Sequence, residues 1–305
     1  MEMNEFAEKV RKAMVEVLGD GYEVKLQEVQ KNNGVRLQGL LILTEKQNVS
    51  PTIYLKPFWE AYEGGVTLAD LIKKILQIYR EDTPGECVDM SFFRDFEKVK
   101  DRICYRLIDA GQNRELLEKI PHIPFLDLAI CFYYAYEGNA LGSGSILIYH
   151  THRLLWQTDV TELMSLAQTN TERLFPWECQ SMESVLKEIM EQEQQEGCVP
   201  EEEERQQLHE EIPMHILSNR QRVYGAACIL YHGVLKELAE KSGANLYILP
   251  SSVHEVILLP DHHTEDTQQL KNMIYEVNRT QLEPEEVLSD SLYYFDRLEQ
   301  NVRII

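Results

Sequence analysis

The sequence has no apolar run long enough to form a membrane-spanning helix. Its longest nearly apolar stretch, residues 126–136, has 11 residues with Asp127 among them, whereas roughly 20 are needed to cross a bilayer. Charged residues are spread through the first 18 positions, which therefore lack the apolar segment of a signal peptide. We expect a cytoplasmic protein with no membrane partner.

Cysteine is scarce, with six residues in 305, and no two are spaced as Cys-x-x-Cys. Cys104, Cys131 and Cys228 lie in apolar segments. Disulfides are unusual in cytoplasmic proteins, and metal or redox motifs need closely spaced cysteines. We therefore expect buried free thiols.

Basic residues are in the minority, with 30 Lys and Arg against 51 Asp and Glu, a net charge of −21. Binding to nucleic acid depends on basic side chains that neutralise phosphates, so nucleic acid is excluded from the expected partners. The negative charge is densest in residues 183–211. Within them, residues 195–211 have no apolar face and are interpreted as an exposed acidic linker.

The pattern of apolar residues predicts an α+β fold with mixed or antiparallel sheets and packed helices. Two β-rich runs flank Asn33-Gly34, a pair that favours a hairpin turn because both residues tolerate positive φ. The C-terminal part has the order β-α-β-β-α-β, as in ferredoxin-like proteins. Its predicted strands are 214–218, 245–250, 254–260 and 289–296, and its predicted helices are 223–239 and 264–279.

Two organisations of the chain are compatible with this pattern. In the first, an N-terminal α+β region of residues 1–194 is followed by the acidic linker 195–211 and a C-terminal β-α-β-β-α-β region of residues 212–305. In the second, the two regions form one integrated body.

Five segments of the sequence resemble a known family: residues 106–130, 167–176, 217–231, 249–260 and 286–296. Together they are similar to a domain-of-unknown-function family, numbered 5688, of anaerobic gut Firmicutes. The resemblance implies a bacterial origin and a single fold unit of about this length, which favours one integrated body. It implies no activity, cofactor or catalytic residue.

The sharpest candidate for a site is the segment Pro-Ser-Ser-Val-His-Glu at residues 250–255. Ser251, Ser252, His254 and Glu255 cluster there at a predicted turn between two strands. Ser252 and His254 are two residues apart and would share a face, but Glu255 would point away, which breaks a catalytic triad. The alternative is a purely structural role, in which the serine hydroxyls of a hairpin turn bind backbone groups. We predict no catalytic residue.

A second candidate is Asn219-Arg220, which follows the predicted strand 214–218 and precedes a predicted helix. Asn219 is a good helix N-cap, which is the structural interpretation. If strand 214–218 pairs antiparallel with strand 254–259, however, Asn219 and Arg220 converge with Ser251, Ser252 and His254. A small anionic ligand, such as a phosphate or carboxylate, would suit that position.

Other motifs predict neither a metal nor a cofactor. His150 and His152 at the end of a predicted strand, with His262 and His263, lack a third ligand fixed by spacing. Gly138, Gly142 and Gly144 have the spacing of a hairpin loop and not of a phosphate-binding loop. The tyrosines at 133, 134 and 136 are interpreted as strand residues that partly face the core.

Three functions remain open at this point. The first is a non-enzymatic binding or adaptor protein, with an unknown protein or a small anionic ligand as partner, because no motif carries complete chemistry. The second is an enzyme with a site near Asn219, Ser252 and His254. The third is an acidic mimic of nucleic acid, such as an anti-restriction factor.

The net charge predicts that the protein does not bind nucleic acid, and this prediction can be tested directly. We expect no binding to a random DNA duplex at physiological salt in a fluorescence anisotropy titration, because phosphates and a net charge of −21 repel each other. Micromolar binding that weakens steeply with added salt would contradict this expectation and reveal a basic face.

Overall fold

The computed structural model describes residues 1–45, 50–83, 90–138, 142–185, 214–250, 252–262 and 266–305. The chain divides into two compact units: Met1–Val99 with Ala135–Ile146, and Lys100–Tyr134 with Leu147–Ile305. The expected linker 195–211 and the boundary at residue 212 lie outside the described residues. The division into 1–194 and 212–305 therefore stays a prediction.

The first unit contains a three-stranded antiparallel sheet. Strands β1 (Tyr22–Gln30) and β2 (Arg36–Thr44) pair along their whole length, and β3 (Ile53–Tyr54) joins β2. Asn33 and Gly34 between β1 and β2 have φ of 58° and 68°. The predicted hairpin is confirmed, and its turn uses the left-handed conformation that Asn and Gly accept readily.

Helices pack on one face of this sheet and form the core of the first unit. Thr67 caps the third helix, because its side-chain oxygen accepts a hydrogen bond from the Asp70 backbone N–H. The core includes Phe6, Val10, Leu40, Ile42 and Ile75, all 0–1% exposed. The helices of this unit are α1 (Met3–Leu18), α2 (Lys56–Glu63), α3 (Leu68–Asp82) and α4 (Phe96–Val99).

A four-stranded sheet follows in the chain. Its order is β4-β6-β5, with β7 also paired to β6. In the second unit, its residues Ile108, Ala129 and Cys131 pack with Leu117 and Ile120. The strands are β4 (Ile103–Asp109), β5 (His122–Phe125), β6 (Leu128–Gly138) and β7 (Gly142–Leu147), and the short helix α5 (Arg114–Leu117) lies between β4 and β5.

The second unit also holds a six-stranded sheet with the order β13-β12-β10-β11-β9-β8. Every pairing in it is antiparallel. The strands are β8 (Trp177–Ser181), β9 (His215–Asn219), β10 (Asn245–Leu249), β11 (Val256–Asp261), β12 (Tyr293–Asp296) and β13 (Asn301–Ile304). Its α-helices with both ends in the described residues are α6 (His150–Trp156), α7 (Val160–Leu174), α8 (Val234–Ser242) and α9 (Thr267–Thr280).

The α+β class and the predicted C-terminal order of elements are confirmed. Strand β9 pairs antiparallel with β11, with Leu217 opposite Val256, as the sequence analysis anticipated. Strand β10 lies on the other side of β11, which makes the split βαβ unit of ferredoxin-like proteins. The fourth strand, β12, pairs with β10 and not with β9, because β9 pairs with β11 on one edge and with β8 on the other.

Two predicted elements were wrong. The single helix expected over 223–239 is a 3-10 helix, Gly225–Leu230, followed by α8. The chain breaks between them because Gly233 takes a left-handed φ of 75°. The strand expected to end at His150 ends at Leu147 instead, and His150 begins α6. None of the helices in the described ranges has the length and apolar character that a membrane crossing requires.

A partly buried carboxylate anchors the segment that leads into β12. Asp127, in the turn before β6, accepts hydrogen bonds from the hydroxyls of Ser289 (2.6 Å), Ser291 (2.8 Å) and Tyr293. Asp109 at the end of β4 lies nearby, and burial together with the charge of Asp127 raises the pKa of its carboxyl. The ionised form of Asp109 is therefore less favourable in the folded protein than in the unfolded chain.

This shift predicts a pH-dependent effect of replacing Asp109. Because the folded-state pKa is raised, ionised Asp109 destabilises the fold at neutral pH, and this cost is relieved as the pH falls through the folded-state pKa. We expect Asp109→Asn to raise the melting temperature at pH 7, by an amount that shrinks towards about pH 4. The control is Asp101→Asn at an exposed position. An equal rise in melting temperature at pH 7 and pH 4 would contradict the raised pKa of Asp109.

Candidate functional site

The turn before β11 is fixed to the end of β9 through the backbone of His254. The Ser218 hydroxyl donates to the His254 carbonyl oxygen at 2.7 Å, and the Ser252 hydroxyl accepts from the His254 backbone N–H at 3.1 Å. Ser218 and Ser252 are only 6% and 5% exposed. The two serines therefore hold the main chain of this turn in one position.

The side chain of Asn219 closes a loop and does not cap a helix. Its amide nitrogen donates to the Val223 carbonyl oxygen at 2.8 Å, and its amide oxygen accepts from the Val223 N–H at 3.3 Å. The next helix begins only at Gly225, after Arg222 and Tyr224 in the left-handed conformation. The N-cap interpretation of Asn219 was wrong, because the chain turns sharply before it becomes helical.

Tyr224 and His254 form a stacked pair beside this loop. Their ring centroids are 5.9 Å apart with an angle of 11° between the ring planes. The Tyr224 backbone N–H donates to Nδ1 of His254 at 3.3 Å, so the proton of the neutral imidazole is on Nε2. Nε2 lies 3.8 Å from a carboxylate oxygen of Glu286, and the His254 side chain is 32% exposed.

Two side chains of the β4–β6 sheet pack against the ring of Tyr224. The guanidinium carbon of Arg106 is 4.7 Å from the ring centroid, and the Tyr133 ring lies 5.3 Å away at an angle of 64°. In the β4–β6 register Arg106 is opposite Cys131, and Cys104 is opposite Tyr133. Arg106 and Tyr133 are thus diagonal neighbours on one face of the sheet.

The structure brings together three of the five residues predicted to contact a ligand. Asn219, Ser252 and His254 belong to one hydrogen-bonded arrangement with Ser218. Arg220 is exposed, and its backbone N–H donates to the Pro176 carbonyl. Ser251 lies outside the described residues. The role of these residues in binding stays a prediction.

Those histidines considered for a metal that the structure describes do not form a set of ligands. His150 and His152 lie on the first turn of α6, and His152 accepts a backbone hydrogen bond from Tyr149 through Nδ1. His262 is exposed, and His263 lies outside the described residues. In the part of the chain that the structure describes, no three His, Cys, Asp or Glu side chains are grouped to hold a metal ion.

The arrangement favours binding over nucleophilic chemistry. A serine nucleophile needs its hydroxyl hydrogen-bonded to the imidazole that activates it. Here the hydroxyls of Ser218 and Ser252 bind the main chain of His254 instead. The imidazole ring stacks on Tyr224, and its Nε2 faces the carboxylate of Glu286 at 3.8 Å.

Sequence reasoning missed Ser218, Tyr224, Arg106, Tyr133 and Glu286. For Arg106 a signal existed, because it is a lone charge inside the apolar strand Ile-Cys-Tyr-Arg-Leu-Ile. Tyr133 was interpreted only as a strand residue that partly faces the core. No sequence pattern around Tyr224 or Glu286 predicts that they join the site, because they lie in loops that meet only in the folded chain.

Comparison with known proteins gives a family but no function. A model described as a family of unknown function, DUF5688, matches residues 3–297. No curated protein matches the chain, and no solved structure does.

The contact between the loop and the turn depends on a glycine. A Cβ added to Gly225 would lie 2.5 Å from the His254 carbonyl oxygen and 2.7 Å from the Asn219 nitrogen, both backbone atoms that cannot move independently. We expect Gly225→Ala to destabilise the protein by about 1–3 kcal/mol or more in urea unfolding.

The control is Gly144→Ala, because an added Cβ there meets no atom within 4 Å and its φ is not positive. That change should stay within about 0.5 kcal/mol of wild type. Equal stability of the two variants would show that the loop can move aside, and that the site is not rigid.

Proposed function

The chain belongs to this family, and we propose from its own residues that it is a non-enzymatic binding protein. Its ligand is a small anion, held beside the turn that carries His254 and the loop that carries Tyr224. The family resemblance supports a bacterial origin, and we propose that the protein acts in the bacterial cytoplasm.

The observation that carries this proposal is the fixed, partly exposed pair of Tyr224 and His254. Nδ1 of His254 is occupied by the Tyr224 backbone N–H, so the ring orientation and the tautomer are both set before any ligand arrives. Binding to a surface that is already ordered loses little conformational entropy.

The backbone of the loop supports the same conclusion. Tyr224 has a φ of 54°, a conformation that non-glycine residues adopt rarely and that costs free energy unless the surroundings enforce it. The Asn219 amide and the His254 imidazole enforce it here through hydrogen bonds. A strained residue held by buried polar groups is typical of a functional site.

The enzyme alternative is less well supported. It relied on Ser252 and His254 as neighbours, and they are neighbours, but the serine hydroxyl accepts a hydrogen bond from the backbone N–H of His254. The alternative of an acidic nucleic-acid mimic relied on the run Glu201–Glu204, which lies outside the described residues, and it stays a prediction.

The proposal is tested by removing the Tyr224 ring without changing the backbone. Glycine accepts a φ of 54°, so Tyr224→Gly keeps the loop conformation. We expect phosphate, sulfate or acetate at constant ionic strength to raise the melting temperature of the wild type by several degrees when saturating. The variant should lose this shift.

The matched control is Gln157→Gly, a neutral exposed residue with nearly the same φ, 55°. It should respond to anions as the wild type does. If no anion stabilises the wild type, or if Tyr224→Gly responds like Gln157→Gly, the proposed binding site is wrong.

A further inference from the structure

The charge of Arg106 has no counterpart in the described structure. Its guanidinium lies over the ring of Tyr224 but makes no hydrogen bond and no ion pair with the described residues. Its Nε is fully buried and unpartnered, whereas the terminal nitrogens retain solvent access. Partly buried arginines normally have an anionic or hydrogen-bonding partner, because an unpaired buried charge is costly.

The neighbours of Arg106 on its sheet face are neutral. Burial raises the pKa of Cys131, which lies opposite Arg106 in the β4–β6 register, to about 12, and that of Cys104 likewise to about 12. Burial also raises the pKa of Tyr133. At neutral pH all three groups keep their protons, so none of them balances the positive charge.

Tyr133 provides a second unsatisfied group at the same place. The residue is only 2% exposed, and no hydrogen bond joins its hydroxyl to another described residue. A buried tyrosine hydroxyl usually has a partner. Arg106 and Tyr133 are diagonal neighbours on one face of the β4–β6 sheet, and both contact the ring of Tyr224.

We infer that Arg106 and the Tyr133 hydroxyl form the subsite that recognises the anionic group of the ligand, a phosphate or a carboxylate. This inference rests on the proposed function and assigns the charge recognition to residues that sequence reasoning did not select. Arg106 supplies the positive charge and planar N–H donors, which suit both groups. The Tyr133 hydroxyl donates to a second oxygen of the same group.

The position of Glu286 supports this assignment. Its carboxylate lies 3.8 Å from Nε2 of His254, so the surface beyond that nitrogen is already negative. An anion therefore avoids the Glu286 side of the imidazole. The Arg106 side of the site has no carboxylate within ion-pair distance in the described ranges, and it is the favourable position for negative charge.

The test measures binding of inorganic phosphate and of acetate by calorimetry to wild type, Arg106→Met, Arg106→Lys and Tyr133→Phe. We expect Arg106→Met to weaken binding by about tenfold or more and Tyr133→Phe by about three- to tenfold, the usual range for losing a charged or a neutral hydrogen bond. Arg106→Lys should retain part of the affinity. The matched control is Arg114→Met, which removes an exposed arginine of the same unit.

The ligand-free proteins give an independent measurement. Because Arg106 and the Tyr133 hydroxyl have no partners to lose, Arg106→Met and Tyr133→Phe should melt at or above the wild-type temperature. Methionine preserves contact with the Tyr224 ring. A clear fall in melting temperature for both variants would show that these groups are structural, and would overturn the inference.

Two further outcomes separate this inference from the proposed function. If Tyr224→Gly abolishes anion binding while Arg106→Met binds like Arg114→Met, the site is correct and the Arg106 subsite is wrong. If the wild type binds neither anion, the proposed function fails, and binding by Arg106 and Tyr133 fails with it. Stronger binding of phosphate than of acetate would indicate that the ligand carries a phosphate group. Stronger binding of acetate would indicate a carboxylate.

Discussion

The close approach of Gly225 to the backbone of Asn219 and His254 is the constraint on which the candidate site depends. Only a residue without a side chain lets the start of the 3-10 helix reach the end of β9 and the turn before β11. This contact brings Tyr224 next to the imidazole of His254. The left-handed conformation of Tyr224 is a consequence, because the chain must reverse within a few residues.

The site is made rigid by hydrogen bonds from side chains to the main chain. Ser218, Asn219 and Ser252 are all buried, and each satisfies a backbone group in a loop or turn. Such groups would be costly to leave unpaired. The polar residues selected from the sequence therefore shape the candidate site, while the side chains proposed to contact a ligand carry aromatic, imidazole and guanidinium groups.

The segment that carries Glu286 is fixed on both sides. On one side, the Val253 N–H donates to the Glu286 carbonyl oxygen at 2.8 Å, and Ser252 pairs with Val287. On the other, the carboxylate of Asp127 accepts three hydroxyls from the residues that lead into β12. Since both attachments are buried or partly buried, the carboxylate of Glu286 has a defined place beside His254.

The sequence by itself determined the α+β class and the hairpin at Asn33-Gly34, because these follow from local periodicity and turn chemistry. The antiparallel pairing of β9 with β11 was a condition that the structure met. The sequence also selected Asn219, Ser252 and His254 as neighbours. It did not determine the edge strands β8 and β13, which are short and whose place depends on the rest of the sheet.

Only the tertiary structure decided which side chains meet at the candidate site. Asn219 was expected to begin a helix, and Tyr133 to be a strand residue partly facing the core. In the folded chain the amide of Asn219 binds the backbone of Val223, and the ring of Tyr133 packs against Tyr224. Arg106, Tyr133, Tyr224 and His254 are far apart in the sequence and meet through the β4–β6 register and the close approach at Gly225. Their mutual positions depend on how distant segments of the chain pack together, which local sequence patterns do not encode.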